Sequence, residues 1–534
     1  MSALTPRDLA RESVSGVVES DVCVIGAGPV GLTLARALAH KHRSVTFLER
    51  GSARAICQAD TDETAFDRRP YRGATAGRAF GAGGTSALWG GQLLPVREAD
   101  LHERAQIAAP AWPLSYADLE IHFATLESWL QVTPGSYALP FAAEQRHALA
   151  DLRWAEWQPR LSKWIPFGRR NMYGAFDSAL GASPSLRGFL NARVHGWALQ
   201  RVNGRQRVTG LSARSINGHT VSVRAQAYVI CAGTLESTRC VLELNEAAGG
   251  LGNGVDDLTG RFLHDHLSVR LARIKILNRA RFQRLFAPFF ADNTMRSLRM
   301  EPSSEFLSRE RLPALYAHFL AETAEDSGFA LLRDVFRGIQ QSKIDAVWGS
   351  ARRIPWALPS IAEILFDRFM RRRLSFPRDA EVYLHCDFEQ APLRENRIYL
   401  GEMGADGHRQ LHIDWDLGGD AARVATAVQS AFRRLWAENS LDDVARLEFV
   451  DFEADAAPAT TNLYDIYHPA GTTRMSSNPS TGVVDPNLLI HGTTNTYVVG
   501  SAVFPSMGAA NPTFTAMALA LRLAAFIDRE LTAA

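Results

Sequence analysis

At 534 residues, with 46% hydrophobic and 22% charged side chains, the chain has the make-up of a soluble globular protein large enough for more than one domain. Its 58 basic residues stand against 57 acidic ones, and the net charge of +1 gives no general ground for a nucleic-acid partner. The cysteines Cys23, Cys57, Cys231, Cys240 and Cys386 are scattered and form no Cys-x-x-Cys pair, which argues against a disulfide framework and a structural zinc site.

Residues 1–19 have the composition of a polar leader without an apolar signal core. Residues 21–25 are a short β-branched run, the pattern of a parallel strand buried on both faces. Gly26-Ala-Gly-Pro-Val-Gly31 follows, then a helical stretch over 32–40 and a second strand over 45–50. Together they make a βαβ unit. Residues 71–96 are rich in glycine, yet Phe80, Leu88 and Trp89 sit among them, so the segment predicts backbone bent tightly around something rather than a linker. A helix is expected over 112–130, strands over 208–216 and 221–223, and a buried strand over 227–233 that ends in glycine. The pattern over 304–373 is mostly helical. Strands are expected again over 381–389 and 397–400, and a helix over 421–438. No apolar run spans a bilayer, since even residues 515–527 are interrupted by Arg522. Cys23 and Cys231 lie in apolar runs and are expected as buried thiols, which fits a reducing cytoplasm.

The three glycines have distinct tasks. Gly26 permits the turn, Gly28 lets backbone approach a pyrophosphate, and Gly31 lets the helix pack against the strand. The helix start offers free N–H groups and a partial positive charge to phosphate. Glu49, at the end of the second strand, suits the ribose hydroxyls and would repel a 2′-phosphate. A dinucleotide site follows, with FAD and NAD both open at this point.

The motifs in order resemble the glucose–methanol–choline family of FAD-dependent oxidoreductases. They are residues 21–31 with 47–51, Gly81-Ala-Gly-Gly-Thr-Ser-Ala-Leu-Trp-Gly-Gly91, residues 229–237, residues 260–266, Tyr467–Met475, residues 483–487 and residues 497–505 before Asn511. Residues 270–455 match poorly. The resemblance implies FAD, and it implies contacts from Gly26, Gly28, Pro29, Val30, Gly31, Glu49 and Arg50. It adds Gly83, Gly84, Thr85, Ser86, Trp89 and Gly90 along the ring and pyrophosphate, then Val194, Ala232 and Gly233, and finally Gly500, Ser501, Asn511, Pro512 and Thr513. Some relatives attach FAD through a histidine in the 81–91 segment. None stands there, so FAD is expected to be non-covalent. Gly500 stands where many relatives have an acidic residue.

His468 and Asn511 match the family's catalytic pair. Histidine suits proton removal near neutral pH, and the hydride acceptor is the flavin's contribution. A polar neighbour can hold the substrate oxygen as charge develops. The expected reaction is oxidation of an alcohol to an aldehyde or ketone, with a sugar, glycoside, polyol or hydroxylated metabolite as substrate and oxygen or a quinone-like compound as electron acceptor. Two alternatives share the fold: a hydroxynitrile-lyase-like enzyme that keeps FAD without net redox, and a flavoprotein without turnover. His264-Asp265-His266 looks like a metal cluster, but no further ligand accompanies it. A structural role is expected there, with no metal. Arg474 and Glu236 are expected to orient loops, and Ser86 and Ser501 lack a nucleophile-elbow pattern.

The expected fold is α/β. A Rossmann-like FAD-binding domain is assembled from 18–110, 186–268 and 460–534. An interleaved α+β substrate domain, with an antiparallel sheet, comes from 111–185 and 269–459 and carries a helical insert at about 304–375. Within the insert, apolar Ile361, Ile364, Leu365 and Phe369 recur at helical spacing beside Arg371–Arg373, with Arg352, Arg353, Arg368 and Arg378 nearby. A core-packed helix with a solvated basic end is expected, and a weak contact of 361–378 with acidic lipid or an acidic partner is the alternative. The chain is expected to be a cytoplasmic monomer or homodimer.

Overall fold

The computed structural model describes residues 6–57, 64–139, 148–181, 183–324, 327–340, 358–404, 408–419, 421–452 and 463–533. Two sheets organise it. The first runs in the order Arg7–Asp8, Leu186–Leu190, Val45–Leu48, Val17–Ile25, Thr220–Ile230, Arg205–Arg214, Arg193–Val202, and Thr496–Val498 also pairs with Thr220–Ile230. From Arg7–Asp8 to Thr220–Ile230, and on to Thr496–Val498, every pairing is parallel. Val22, Cys23 and Val24 are wholly buried, as a strand covered on both faces requires. The helices Pro29–His40 and Pro512–Ala533 pack together on this sheet, tied at their ends by Arg43 to Asp528 at 2.8 Å.

The second sheet is antiparallel and runs Ala445–Phe449, His266–Ile276, Glu381–Glu389, Leu315–Glu322, Thr294–Pro302, Trp157–Trp164, Gln92–Leu93. Period-2 alternation splits its residues between faces. Val269, Leu271, Leu384, Cys386, Leu315 and Ala317 join a hydrophobic core with the helices Arg279–Phe286 and Ala421–Glu438. Ser268, Tyr316, His318, His385 and Asp387 occupy the other face, in register across three strands.

Several expectations need correction. Residues 1–19 are not all leader: Arg7–Asp8 forms an edge strand, Leu9 is buried, and the central strand already begins at Val17. The 112–130 helix is two short ones, Ala117–Glu120 and Phe123–Trp129. The runs at 221–223 and 227–233 belong to one strand, Thr220–Ile230. The helical reading of 304–373 fails at Leu315–Glu322, a central strand registered from Leu315 opposite Phe388 to Glu322 opposite Glu381. Its alternating Leu, Ala and Phe fill one face, and that tertiary demand outweighs helical composition. Helices do form at Ser304–Arg309, Gly328–Gln340 and Leu358–Met370. Of the four apolar residues in the last, only Ile361 is buried, while Leu365 and Phe369 are exposed, so the helix is not core-packed. Arg352 and Arg353 lie outside the described residues. Three strands of the antiparallel sheet, Gln92–Leu93, Leu463–Asp465 and the start of His266–Ile276, come from segments assigned in sequence to the FAD-binding domain. No helix among the described residues is long and apolar enough to cross a membrane.

Candidate active site

The glycine turn sits at the C-terminal edge of the parallel sheet. Gly26 adopts φ +106°, and a Cβ there would meet the Cys231 carbonyl oxygen at 2.7 Å. A Cβ on Gly31 would lie 2.1 Å from the Gly26 oxygen, so helix and turn touch as only glycine allows. A Cβ on Gly28 would meet nothing within 4 Å: its backbone faces open space. The glycine-rich segment closes on this turn, with the Gly83 amide donating to the Ala27 carbonyl at 2.9 Å. Ser86 Oγ donates to the Gly83 carbonyl and accepts from the Met172 amide, so its part here is structural.

A groove starts beside this turn. A cavity of about 130 Å³ is lined by Gly26, Gly28, Pro29, Val30, Glu49, Arg50, Gly84, Thr85, Val194, Ala232 and Gly233. It shares Pro29, Val30, Thr85, Ala232 and Gly233 with a second cavity of about 160 Å³ that reaches Gly500, Ser501, Pro512, Thr513 and His468. Three helices begin on the groove, at Pro29, Gly233 and Pro512, and turn their positive ends toward it. Trp89 and Gly90 lie outside both linings. Trp89 Nε1 donates to the Arg170 carbonyl at 2.6 Å, and a Cβ on Gly90 would sit 3.0 Å from the Trp164 ring.

Glu49 is buried and accepts backbone N–H bonds from Ala27 at 2.9 Å, Gly51 at 2.8 Å and Gly81 at 2.9 Å. It therefore ties the two glycine segments together as well as lining the groove. Burial pushes its pKa up, against those three donors. Arg50 pairs with Glu236 at 3.2 Å, as do Arg78 and, at 3.4 Å, Arg239. Burial raises the Glu236 pKa, but Arg239, Arg50 and Arg78 outweigh it and hold the carboxyl well below the usual range. Sequence reasoning did not single out Arg78 or Arg239.

The far end of the groove carries the histidines. Leu463–Asp465 pairs with His266–Ile276, setting Asp465 opposite Leu267, so the loop three residues on delivers His468 beside His266. Tyr467 takes φ +70° to make that turn, and a Cβ on Gly77 would meet the Tyr467 Cβ at 2.5 Å. Asp265 fixes both backbones: its Oδ1 accepts from the His468 amide at 2.8 Å and the His266 amide at 2.7 Å, and Tyr71 donates its hydroxyl to Oδ2. Burial, then the nearby Asp465 charge, raises the Asp265 pKa. Ser501 and Thr234 hydroxyls both donate to the Pro469 carbonyl, at 2.9 and 2.6 Å, and steady the following residue.

Hydrogen bonding sets the protons on the two rings. His266 Nε2 lies 2.7 Å from the Gly508 carbonyl, which can only accept, so Nε2 carries the hydrogen. Burial lowers the His266 pKa and keeps the ring neutral, leaving Nδ1 bare. His468 Nδ1 lies 3.0 Å from that nitrogen and must donate to it. His468 is neutral as well, pushed down to about 3 by burial and then by His266. Its Nε2 is therefore an open acceptor, 3.2 Å from the Asn511 amide nitrogen. The Gly508 amide is itself anchored to Glu389 Oε2 at 2.9 Å, and Glu389 pairs with Arg104 at 2.8 Å.

The sequence-derived pair His468 and Asn511 thus meets directly. The 264–266 run divides its work: His264 Nδ1 contacts the Phe262 carbonyl at 2.8 Å, Asp265 holds loops, and His266 bonds the ring of His468. That last contact exceeds the structural role expected of the run. Among the described residues no group of three or more His, Cys, Asp or Glu is arranged to hold a metal ion. A neutral imidazole nitrogen beside an amide donor, at the end of a groove with phosphate-binding features, can accept a hydroxyl proton and steady the oxygen left behind.

Comparison with known proteins bears on the family and the fold. Residues 392–520 match the family model described as GMC oxidoreductase. No curated protein matches the chain. Among solved structures, a formate oxidase aligns with TM-score 0.60 at 14% identity, covering 97% of this chain and 100% of that one. Pyridoxine 4-oxidase from Mesorbium loti aligns with TM-score 0.57 at 18% identity, over 95% and 98% of the two chains. A formate oxidase of Aspergillus oryzae RIB40, altered by a mutation that affects FAD modification, aligns with TM-score 0.57 at 15% identity, over 97% and 100%. At these identities the likeness is one of fold.

Proposed function

We propose that this chain, a GMC oxidoreductase by the family domain at residues 392–520, binds FAD and oxidises an alcohol to an aldehyde or ketone. The observation that carries the reading is the His468–Asn511 contact of 3.2 Å at the end of the groove that begins at Gly26–Gly31. Support for FAD comes from the open face of Gly28, the three helix starts and the length of the groove. No histidine stands between residues 79 and 91, which supports non-covalent binding.

Bound FAD supplies the acceptor for the hydride that leaves the carbinol carbon. His468 Nε2 takes the hydroxyl proton, and His266 keeps that nitrogen bare by accepting the hydrogen on Nδ1. The Asn511 amide donates to the substrate oxygen as negative charge grows there. Both groups are only half-buried, and closing the site over them would exclude water and strengthen these bonds. A hydroxyl-rich substrate such as a sugar, glycoside or polyol suits the wall beside them. There Ser268, Tyr316, His385 and Asp387 share the sheet face of His266, and the Asp387 charge reaches His468.

The test is anaerobic mixing of the FAD-loaded protein with a panel of sugars, polyols and simple alcohols, followed by reoxidation with oxygen or a quinone. Flavin bleaching is expected, and His468→Ala with FAD still bound should slow it by about 10²–10⁴-fold. A full rate in that variant would overturn the proposed base. Substrate cleavage without bleaching would replace oxidation with lyase chemistry.

A further inference from the structure

The Leu358–Met370 helix is inverted. Its buried side chains are Ile361 and the charged Asp367. Its outward side is apolar: Leu358, Leu365, Phe366, Phe369 and Met370 are 55%, 48%, 51%, 70% and 71% exposed. With exposed Ala362 these residues follow the i, i+4, i+7, i+8, i+11, i+12 spacing of a single helix face. The Gly328–Gln340 helix packs beside it and adds Phe336 and Ile339, 44% and 56% exposed. An exposed apolar helix face of this kind marks a contact surface.

The surroundings are basic. Residues 328–340 and 358–380 hold seven arginines against four carboxylates. Arg371 and Arg372 stand exposed directly after Met370, and the Arg378 side chain is 74% exposed. Asp367 pairs with Arg371 at 2.9 Å and Glu363 with Arg378 at 2.8 Å, while Arg372 has no ion pair among the described residues. A second copy docking on this face would bring two basic surfaces, each with Arg372 unpaired, against one another, since a two-fold interface must complement itself. A surface of fixed negative charge over an apolar interior meets both demands at once.

We propose that this helix pair is a peripheral membrane anchor. The apolar face of Leu358–Met370 enters the boundary between headgroups and acyl chains, and Arg371, Arg372 and Arg378 engage anionic lipid phosphates. At 13 residues the helix is about 20 Å long and lies in the plane of the interface rather than spanning it. The anchor is tied to the groove. Gln340 Nε2 donates to the Ser86 and Trp89 carbonyls, both at 3.0 Å, and the Phe336 ring packs against Phe167 at a 45° tilt with centroids 4.7 Å apart. Membrane docking would therefore act on the element that carries the glycine-rich segment.

Cosedimentation of the purified full chain with vesicles tests this, using phosphatidylcholine alone and phosphatidylcholine mixed with phosphatidylglycerol. The protein should pellet with the anionic vesicles and lose binding as salt rises. Phe366→Ser combined with Phe369→Ser should weaken partitioning at least about tenfold, without lowering the melting temperature, because both side chains are exposed. Arg371→Gln combined with Arg372→Gln should weaken it on the order of tenfold and remove the preference for anionic vesicles. Failure of the wild type to bind either vesicle overturns the proposal, as does unaltered binding in both double variants. A wild-type dimer that the phenylalanine variant dissolves, with no vesicle binding, also overturns it and assigns the face to a second copy.

Discussion

His266 offers the sharpest test of how the site works, because its role is to hold a proton rather than to pack. Replacing it with leucine removes the Nδ1 acceptor 3.0 Å from His468 Nδ1. A buried hydrogen bond contributes about 1 kcal/mol, and a buried donor left unsatisfied costs a further ~1–3 kcal/mol. His468 escapes that cost by moving its proton to Nε2 while the Asn511 amide turns its oxygen, otherwise unpaired, to accept from it, and Nε2 can then no longer accept from substrate. At about 2–4 kcal/mol the productive tautomer becomes rare, and flavin reduction should slow by about 30- to 1000-fold. The loss should fall on kcat, with KM changed little, since the substrate wall is untouched. His266→Asn restores an acceptor oxygen near the Nδ1 position and should recover most of the rate. Stopped-flow anaerobic reduction measures both variants, and ¹⁵N NMR of labelled histidine reports the tautomer directly. Full speed in His266→Leu with FAD bound, or a hydrogen on His468 Nε2 in the wild type, would refute the argument.

The turn glycines should separate folding from cofactor binding. Gly28→Ala places its Cβ in open space and should leave the melting temperature of the FAD-free protein unchanged while weakening FAD binding, measured by fluorescence titration. Gly31→Ala drives a Cβ to 2.1 Å from the Gly26 oxygen and should lower that melting temperature as well. Acid should destabilise the chain early. Burial holds His468 at about 3 and His264 and His385 at about 4, below the ordinary 6.5, so the unfolded chain takes up protons first and stability falls as pH drops from 6.5. Each contributes about 2 kcal/mol of loss by pH 5, which denaturant titrations at pH 7 and pH 5 would show, and equal stability at the two would contradict it. Lys163→Met leaves Glu127 charged and buried without its partner and should cost about 3–5 kcal/mol by the same titrations. A cost under about 1 kcal/mol would mean that Glu127 finds another partner.

What was legible in the sequence was what short range determines. Val22–Ile25, the glycine turn and the Pro29–His40 helix follow from contiguous residues whose needs are local: burial on both faces, positive φ, a free helix start. The His468–Asn511 pair was legible only because a family motif links two loops 43 residues apart, and nothing in either loop alone requires the other. Where pairing partners lie far apart in the chain, local pattern misled. Leu315–Glu322 has helical neighbours on both sides, and its strand state is decided by Glu381–Glu389, more than sixty residues on. The contact of His266 with His468 could not be foreseen for the same reason. Its neighbours in sequence pointed to a structural role, while its contact with His468 depends on Leu463–Asp465 laying the His468 loop across its strand, 202 residues away.

The inverted Leu358–Met370 helix is a different kind of failure. Its period of apolar residues was read correctly, but periodicity shows only that a helix has an apolar face, not which way that face turns. The deciding residue is Asp367. A carboxylate that pairs with Arg371 while 3% exposed holds the polar edge of the helix against the protein, and the apolar edge is left facing out. In an ordinary surface helix Asp367 and Phe366 would exchange places. Exposing several large apolar side chains costs solubility, and a chain bears that cost where the surface has a use. The arginines that follow Met370 without a break supply the charge such a use would need. Reversing the helix, with Asp367→Leu and Phe366→Asp together, should raise solubility and abolish vesicle binding, with flavin reduction unaltered. Retained binding in that variant would show that the apolar face is incidental.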